Sequence, residues 1–379
     1  MVSAVRTVPR DVDCVVIGAG LFGLYAAVIL GQRGLDVAII DLEQRPMMRA
    51  SLINQARIHM GYHYPRSAFT ALQAARRSEQ FFKDFPSAVV DNFRHIYAIA
   101  RSGTLTDAES FERFCDHLSI PLRSVEVSDY FDPGAVESAY ETREFAFDAA
   151  ILRSDLLRRM ERLGSAQWYL GSRVQEAGRE GEAYLLTLNN NRVLRTPRVV
   201  NATYAGLNSV NRQFGFDPLP LKYELCEVIL TRVSDVVSDV GVTLLDGPYF
   251  SLMPFGRTDL HSLTAVDVTP RRTSAETLPT FSCQPLNPNC SPAALDNCAP
   301  CPARPTSSFA TMSQLAGRYL HPRFDLKFEE SLFSVKAVLQ TSEVDDGRPT
   351  LVVRFSERPQ FLTIFSGKVS TLYDLEEFL

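Results

Sequence analysis

The run Gly18-Ala19-Gly20-Leu21-Phe22-Gly23 has the residue types and spacing to hold a diphosphate. In a G-x-G-x-x-G turn the first glycine, Gly18, permits a tight bend, Gly20 lets phosphates approach the backbone, and Gly23 lets a helix pack close to a strand. A short apolar run, 13–18, precedes the turn, and residues 24–31 have helix-like composition. The turn therefore opens onto a helix N-terminus, whose free amides and positive dipole end favour an anion. A second strand pattern, 34–41, ends on Asp41, placed to accept hydrogen bonds from both ribose hydroxyls, with Leu42 beside it. A glycine turn used only for packing is the other reading, but the flanking strand, helix, strand and terminal acid favour a dinucleotide. FAD and NAD present the same diphosphate and ribose, so this motif does not separate them.

Two other segments concentrate reactive side chains. Asn54 to Ser67, NQARIHMGYHYPRS, sets two histidines, two tyrosines and two arginines in fourteen residues. Cys283, Cys290, Cys298 and Cys301 lie in a Pro-rich stretch, 270–307, and the last two form a C-x-x-C pair. Four thiolates suffice for one tetrahedral zinc, although the six residues between Cys283 and Cys290 exceed the usual knuckle. Zinc, a redox pair and an unliganded loop all remain open, and no metal is assigned. Cys14, Cys115 and Cys226 sit in apolar surroundings and read as buried thiols.

The positioning elements follow from periodicity and turn residues. Residues 67–85 read as an amphipathic helix, and strand and helix signals at 96–100 and 107–118 form an excursion. A helix at 152–163 is followed by strands at 167–170, 183–188 and 192–201, with Asn189-Asn190-Asn191 as a hairpin turn. Strand signals dominate 225–268, a helix is expected at 309–319, and the tail returns to strands before a short acidic helix. At 379 residues, two interlocked units are expected. The net charge of −5, without a long basic run, argues against nucleic acid as a partner. Glycines interrupt the apolar stretch 14–30, so no membrane span is expected, and the reading is cytoplasmic.

The stretch Asn54 to Ser67 resembles the region after the second strand in the D-amino-acid-oxidase-type flavoproteins, most nearly the N-x-x-x-I-H-x-G-x-x-Y pattern of the hydroxyglutarate enzymes, met by Asn54, Ile58, His59, Gly61 and Tyr64. These flavoproteins include glycine oxidase, sarcosine oxidase and L-2-hydroxyglutarate dehydrogenase relatives. Arg198 to Gly206, RVVNATYAG, resembles their V-V-N-A-A-G turn, with Thr203-Tyr204 inserted. Arg173-Val174 resembles a strand packed on the adenosine. Gly347-Arg348-Pro349 resembles a G-R-P element, and Ser366-Gly367-Lys368 a glycine turn against the flavin pyrimidine.

The resemblance implies FAD as cofactor, held by Gly18, Gly20, Leu21, Phe22, Gly23, Asp41, Leu42, Arg57, Ile58, His59, Gly61, Arg173, Val174, Asn201, Ala202, Gly347, Arg348, Ser366, Gly367 and Lys368. It implies an α/β fold, α+β overall. A Rossmann-like FAD domain is assembled from 1–90, 146–216 and 336–379, beside an antiparallel-sheet substrate domain from 91–145 and 217–335. The implied reaction is oxidation of a small amine, amino acid or 2-hydroxy acid by hydride transfer to flavin N5, with oxygen or another electron acceptor reoxidising the flavin. His59, Lys368, Tyr223 and Arg257 are the catalytic candidates, and His261 follows Arg257 after the same turn. Tyr62, His63 and Tyr64 are further candidates near His59. Two alternatives stand beside this reading: a flavin monooxygenase of a biosynthetic intermediate that consumes NAD(P)H, and a flavin-binding protein without turnover. The oligomeric state is open.

Overall fold

Two all-apolar tetrads, Cys14–Ile17 and Val37–Ile40, are buried at every position, as strands of a parallel sheet covered on both faces must be. The computed structural model, which describes residues 8–340 and 350–379, places them side by side in a six-stranded sheet. The strand order is Ala166–Tyr169, Val37–Ile40, Cys14–Ile17, Arg198–Asn201, Gln360–Phe365, Leu351–Glu357. All neighbours are parallel except the last pair. The α/β class and the assembly of this sheet from segments far apart in sequence are as expected. Gly347 and Arg348 lie outside the described residues.

The helix Leu21–Gln32 starts at Gly20 and is apolar on nearly every side. That composition is tolerated because it is covered all round, by the sheet and by the helix Ala149–Leu163, whose N-cap Asp148 accepts from the amides of Ala150 and Ile151 at 2.9 Å. The amphipathic helix Ala68–Asp84 begins after Ser67, whose hydroxyl accepts from Thr70 N.

A nine-stranded sheet forms the second layer and joins both parts of the expected substrate domain. Its central strands include Leu221–Arg232, His261–Ala265, Phe250–Pro254, Val240–Leu245, Arg94–Ala100 and Val136–Thr142. It is not wholly antiparallel: Val240–Leu245 runs parallel to Arg94–Ala100, because the chain reaches the two from distant segments rather than through a hairpin. The strand Lys327–Leu339 pairs with Leu221–Arg232 along its whole length, so a boundary at 336 falls inside a strand. A small sheet of Arg57–Ile58, Phe145–Phe147 and Val89–Val90 bridges the two layers.

Three local expectations change. The single strand at 192–201 is two, Val193–Thr196 and Arg198–Asn201, which enter different sheets around Pro197, a residue without an amide hydrogen for a ladder. The Pro-rich stretch is not free of structure at its start: Pro270–Ser274 pairs with Leu221–Arg232. The tail closes on a 3-10 helix, Val369–Glu377. Among the described residues no helix is long and apolar enough to cross a membrane.

Candidate active site

Gly18 adopts φ +102°, where an L side chain is strained, and a Cβ there would sit 2.7 Å from the Ala202 carbonyl oxygen. A Cβ on Gly23 would lie 1.8 Å from the Gly18 carbonyl oxygen, so the helix packs directly on the turn. The Leu21 amide donates to Ser51 Oγ at 2.9 Å, and the amides of Ala19 and Glu43 donate to Asp41. Burial pushes the Asp41 carboxyl above its usual range, against these amides. This glycine cradle, with a carboxylate at the next strand end, has the donor and acceptor set for a diphosphate and ribose.

From the cradle a cavity of about 790 Å³ runs to the nine-stranded sheet. That is within the usual range for a cofactor and small-ligand site. Gly20, Leu21, Phe22 and Asp41 line one end. Arg57, His59, Ala202, Ser366, Gly367 and Lys368 line its course, and Thr243, Tyr249 and Ser251 belong to the far wall. Lys368 Nζ lies 4.2 Å from the Tyr64 ring centroid, and the same ring meets His59 edge-on at 5.5 Å. His63 stacks on His59 at 4.9 Å.

Behind this wall lies a residue that sequence reasoning missed. Glu144 has a fully buried side chain, and its Oε1 is 2.6 Å from His59 Nδ1. The Tyr97 hydroxyl donates to Oε2, and His95 Nδ1 stands 4.0 Å from it. Burial opposes ionisation of Glu144, but His59, His95 and Arg57 outweigh it and hold the carboxyl below its usual range. Burial also lowers His59, with Glu144 working against that, and takes His95 down to about 3. Arg57 is buried and donates from Nη2 to Thr243 Oγ1 at 2.7 Å, while its Nε has no hydrogen-bond partner among the described residues. No local motif marks Glu144, because it meets His59 across 85 residues of chain.

Several expected site residues do not reach the cavity. Tyr223 is fully buried in the sheet core and donates to the Thr277 carbonyl at 3.2 Å. Arg257 lies outside the cavity lining and donates to the carbonyls of Ser87 and Val89. His261 is buried, with Nε2 on the Val240 carbonyl at 3.1 Å. Leu42 faces solvent, Arg173 is exposed, and Val174 packs beneath the sheet. Ile58 belongs to the core, and Gly61 packs against Ala71 and Ile120. Asn201 is buried and donates to the Leu207 carbonyl and Asn211 Oδ1, fixing the turn that presents Ala202. The inserted Tyr204 forms a 3-10 turn, lines the cavity and stacks on Phe365. Cys226, expected to be buried, is only partly so and lines the cavity with Glu224 and Cys298. Among the described residues no disulfide joins the cysteines, and no group of three or more His, Cys, Asp or Glu side chains is placed to hold a metal ion.

A glycine cradle at the C-terminal edge of a parallel sheet, opening into a cavity roofed by a second sheet, defines a dinucleotide-dependent enzyme of two-layer α/β type. The profile of the FAD dependent oxidoreductase family (DAO) matches residues 13–276, and the chain belongs to that family. It is an FAD-dependent oxidoreductase. Its fold is similar to glycine oxidase from Geobacillus kaustophilus (TM-score 0.69, 13% identity, 96% of this chain and 91% of that one). It is also similar to L-proline dehydrogenase from P. horikoshii (TM-score 0.71, 15% identity, 96% and 90%). NikD, an amino acid oxidase essential for nikkomycin biosynthesis, superposes with TM-score 0.69 at 14% identity, over 96% of this chain and 92% of that one. A curated relative, the FAD-dependent monooxygenase FPY4 of Fusarium mangiferae, is 31% identical over 97 residues, a stretch that spans 26% of each chain.

Proposed function

We propose that this enzyme oxidises a small amine, amino acid or 2-hydroxy acid, and that His59 accepts the proton that the substrate loses. The observation that carries this reading is the single cavity that joins the glycine cradle to His59 and the second sheet. Bound FAD supplies the acceptor for the hydride leaving the substrate C–H bond. The chain's own part is proton handling and orientation. The His59 side chain is 21% exposed, its Nδ1 is occupied by Glu144, and no hydrogen bond is recorded at Nε2 among the described residues. Nε2 can therefore take the proton of a substrate hydroxyl as the carbon–oxygen double bond forms. A neutral amine needs no strong base, and His59 then orients it. Arg57 and Lys368 keep positive charge beside the cavity, suited to an anionic substrate group or to charge that builds up on the cofactor.

Anaerobic mixing of the purified yellow protein with amines, amino acids and 2-hydroxy acids tests this reading. Bleaching of the flavin by one of these classes is expected. The 97-residue similarity to a monooxygenase favours one other reading, an NAD(P)H-consuming monooxygenase. Bleaching by NADPH alone, with no response to the substrate panel, would replace the first reading with the second.

A further inference from the structure

A buried carboxylate next to a cavity histidine needs an explanation, since desolvating an anion is costly unless it is well paired. Glu144 is a full side chain away from solvent, yet its oxygens are taken up by His59 on one side and Tyr97 on the other. The pairing continues behind the wall. His95 stands by the second oxygen, its Nε2 is 2.9 Å from Thr243 Oγ1, and Thr243 accepts from Arg57. The network thus leaves the cavity at His59 and returns to it at Arg57, two residues earlier, on the short strand Arg57–Ile58 that His59 follows. His59, His95 and Arg57 together make a buried Glu144 anion tolerable.

We infer that Glu144 is the positioning residue of His59: it holds the ring in the Nδ1–H tautomer and turns the unprotonated Nε2 towards the cavity. An ionised carboxylate only accepts hydrogen bonds, so a 2.6 Å contact to Nδ1 fixes the proton on that nitrogen. The stacked His63 and the edge of Tyr64 then fix the ring plane. A neutral amide at position 144 removes this bias, because its NH2 can donate to Nδ1 and send the ring proton to Nε2, where it blocks proton acceptance. The charged groups acting on His59 are Glu144, Arg57 and Lys368.

This role rests on the proposed use of His59, so the test has one readout that needs no turnover. In holoenzyme labelled with 15N-histidine, with His59→Gln to assign the signal, His59 is expected as the Nδ1–H tautomer, and Glu144→Gln is expected to shift it towards Nε2–H. In turnover, Glu144→Gln is expected to lower kcat by about 100- to 10,000-fold with KM within about threefold, and Glu144→Asp to recover part of the loss. The acid limb of the pH profile of kcat/KM moves to lower pH in Glu144→Gln, because the anion that favours protonated His59 is gone. Tyr97→Phe, which leaves the His59 contact intact, keeps the tautomer. A wild-type His59 in the Nε2–H form, or a Glu144→Gln enzyme with wild-type tautomer and kcat, would overturn the inference. A correct tautomer in an enzyme whose kcat ignores His59→Gln would overturn only the proposed role of His59.

Discussion

Replacing Gly23 by alanine adds one methyl group at the tightest point of the cofactor cradle. The new Cβ would lie 1.8 Å from the Gly18 carbonyl oxygen, whereas real Cβ contacts are essentially never under 3.0 Å. Helix and turn must therefore separate by at least 1.2 Å, the difference between those two distances. Neither side gives way cheaply: the obstacle is backbone, and Gly18 is itself held against Ala202. Overpacking of this kind costs about 1–3 kcal/mol. If that strain falls on the cradle, FAD affinity drops by about 5- to 150-fold at 25 °C. Titrating apoprotein with FAD and following the quenching of flavin fluorescence gives the dissociation constant. Gly317→Ala is the matched control, since its Cβ would meet nothing within 4 Å at the end of the helix Phe309–Gly317. Wild-type FAD affinity in Gly23→Ala would refute the argument that this glycine sets the closeness of helix and turn.

Two further outcomes follow from residues placed away from the cavity. Tyr223→Phe is expected to leave kcat and KM unchanged and to cost about 1 kcal/mol in denaturant unfolding, the usual worth of one hydrogen bond, here that to Thr277; a large kcat loss would return Tyr223 to the active site. Burial lowers His261 from its ordinary 6.5 to about 4, so between those values the unfolded chain binds a proton that the folded chain refuses. Its contribution to stability is complete above about pH 6.5 and declines as pH falls to about 4. His261→Gln should therefore flatten the fall in unfolding free energy across that window, and an unchanged slope would contradict the assignment.

The cofactor half of the molecule was legible because its signals are local. Gly18 to Gly23 and Asp41 lie within one strand–helix–strand unit, where spacing alone sets their neighbours. The substrate half was less so, because its geometry depends on pairing between distant strands. Tyr223 lies on a strand of the right sheet, but side chains alternate along a strand, and its place on the core face was set by packing under Phe333 and Leu339. Arg257 was found in the right turn, yet the turn delivers its guanidinium to the carbonyls of another loop. Glu144 has no motif around it, and its meaning comes entirely from His59 and from His95 and Tyr97 of the strand Arg94–Ala100, which arrive from two other places in the chain.

The sheet beneath the cofactor sets adjacent strands from residues 14–17, 198–201 and 360–365. During synthesis the glycine cradle is therefore made well before the strand Gln360–Phe365, on the far side of Arg198–Asn201, and the Ser366–Lys368 wall. Until then the cradle has one flank missing, and a nascent chain exposes apolar strand edges that only late pairing covers.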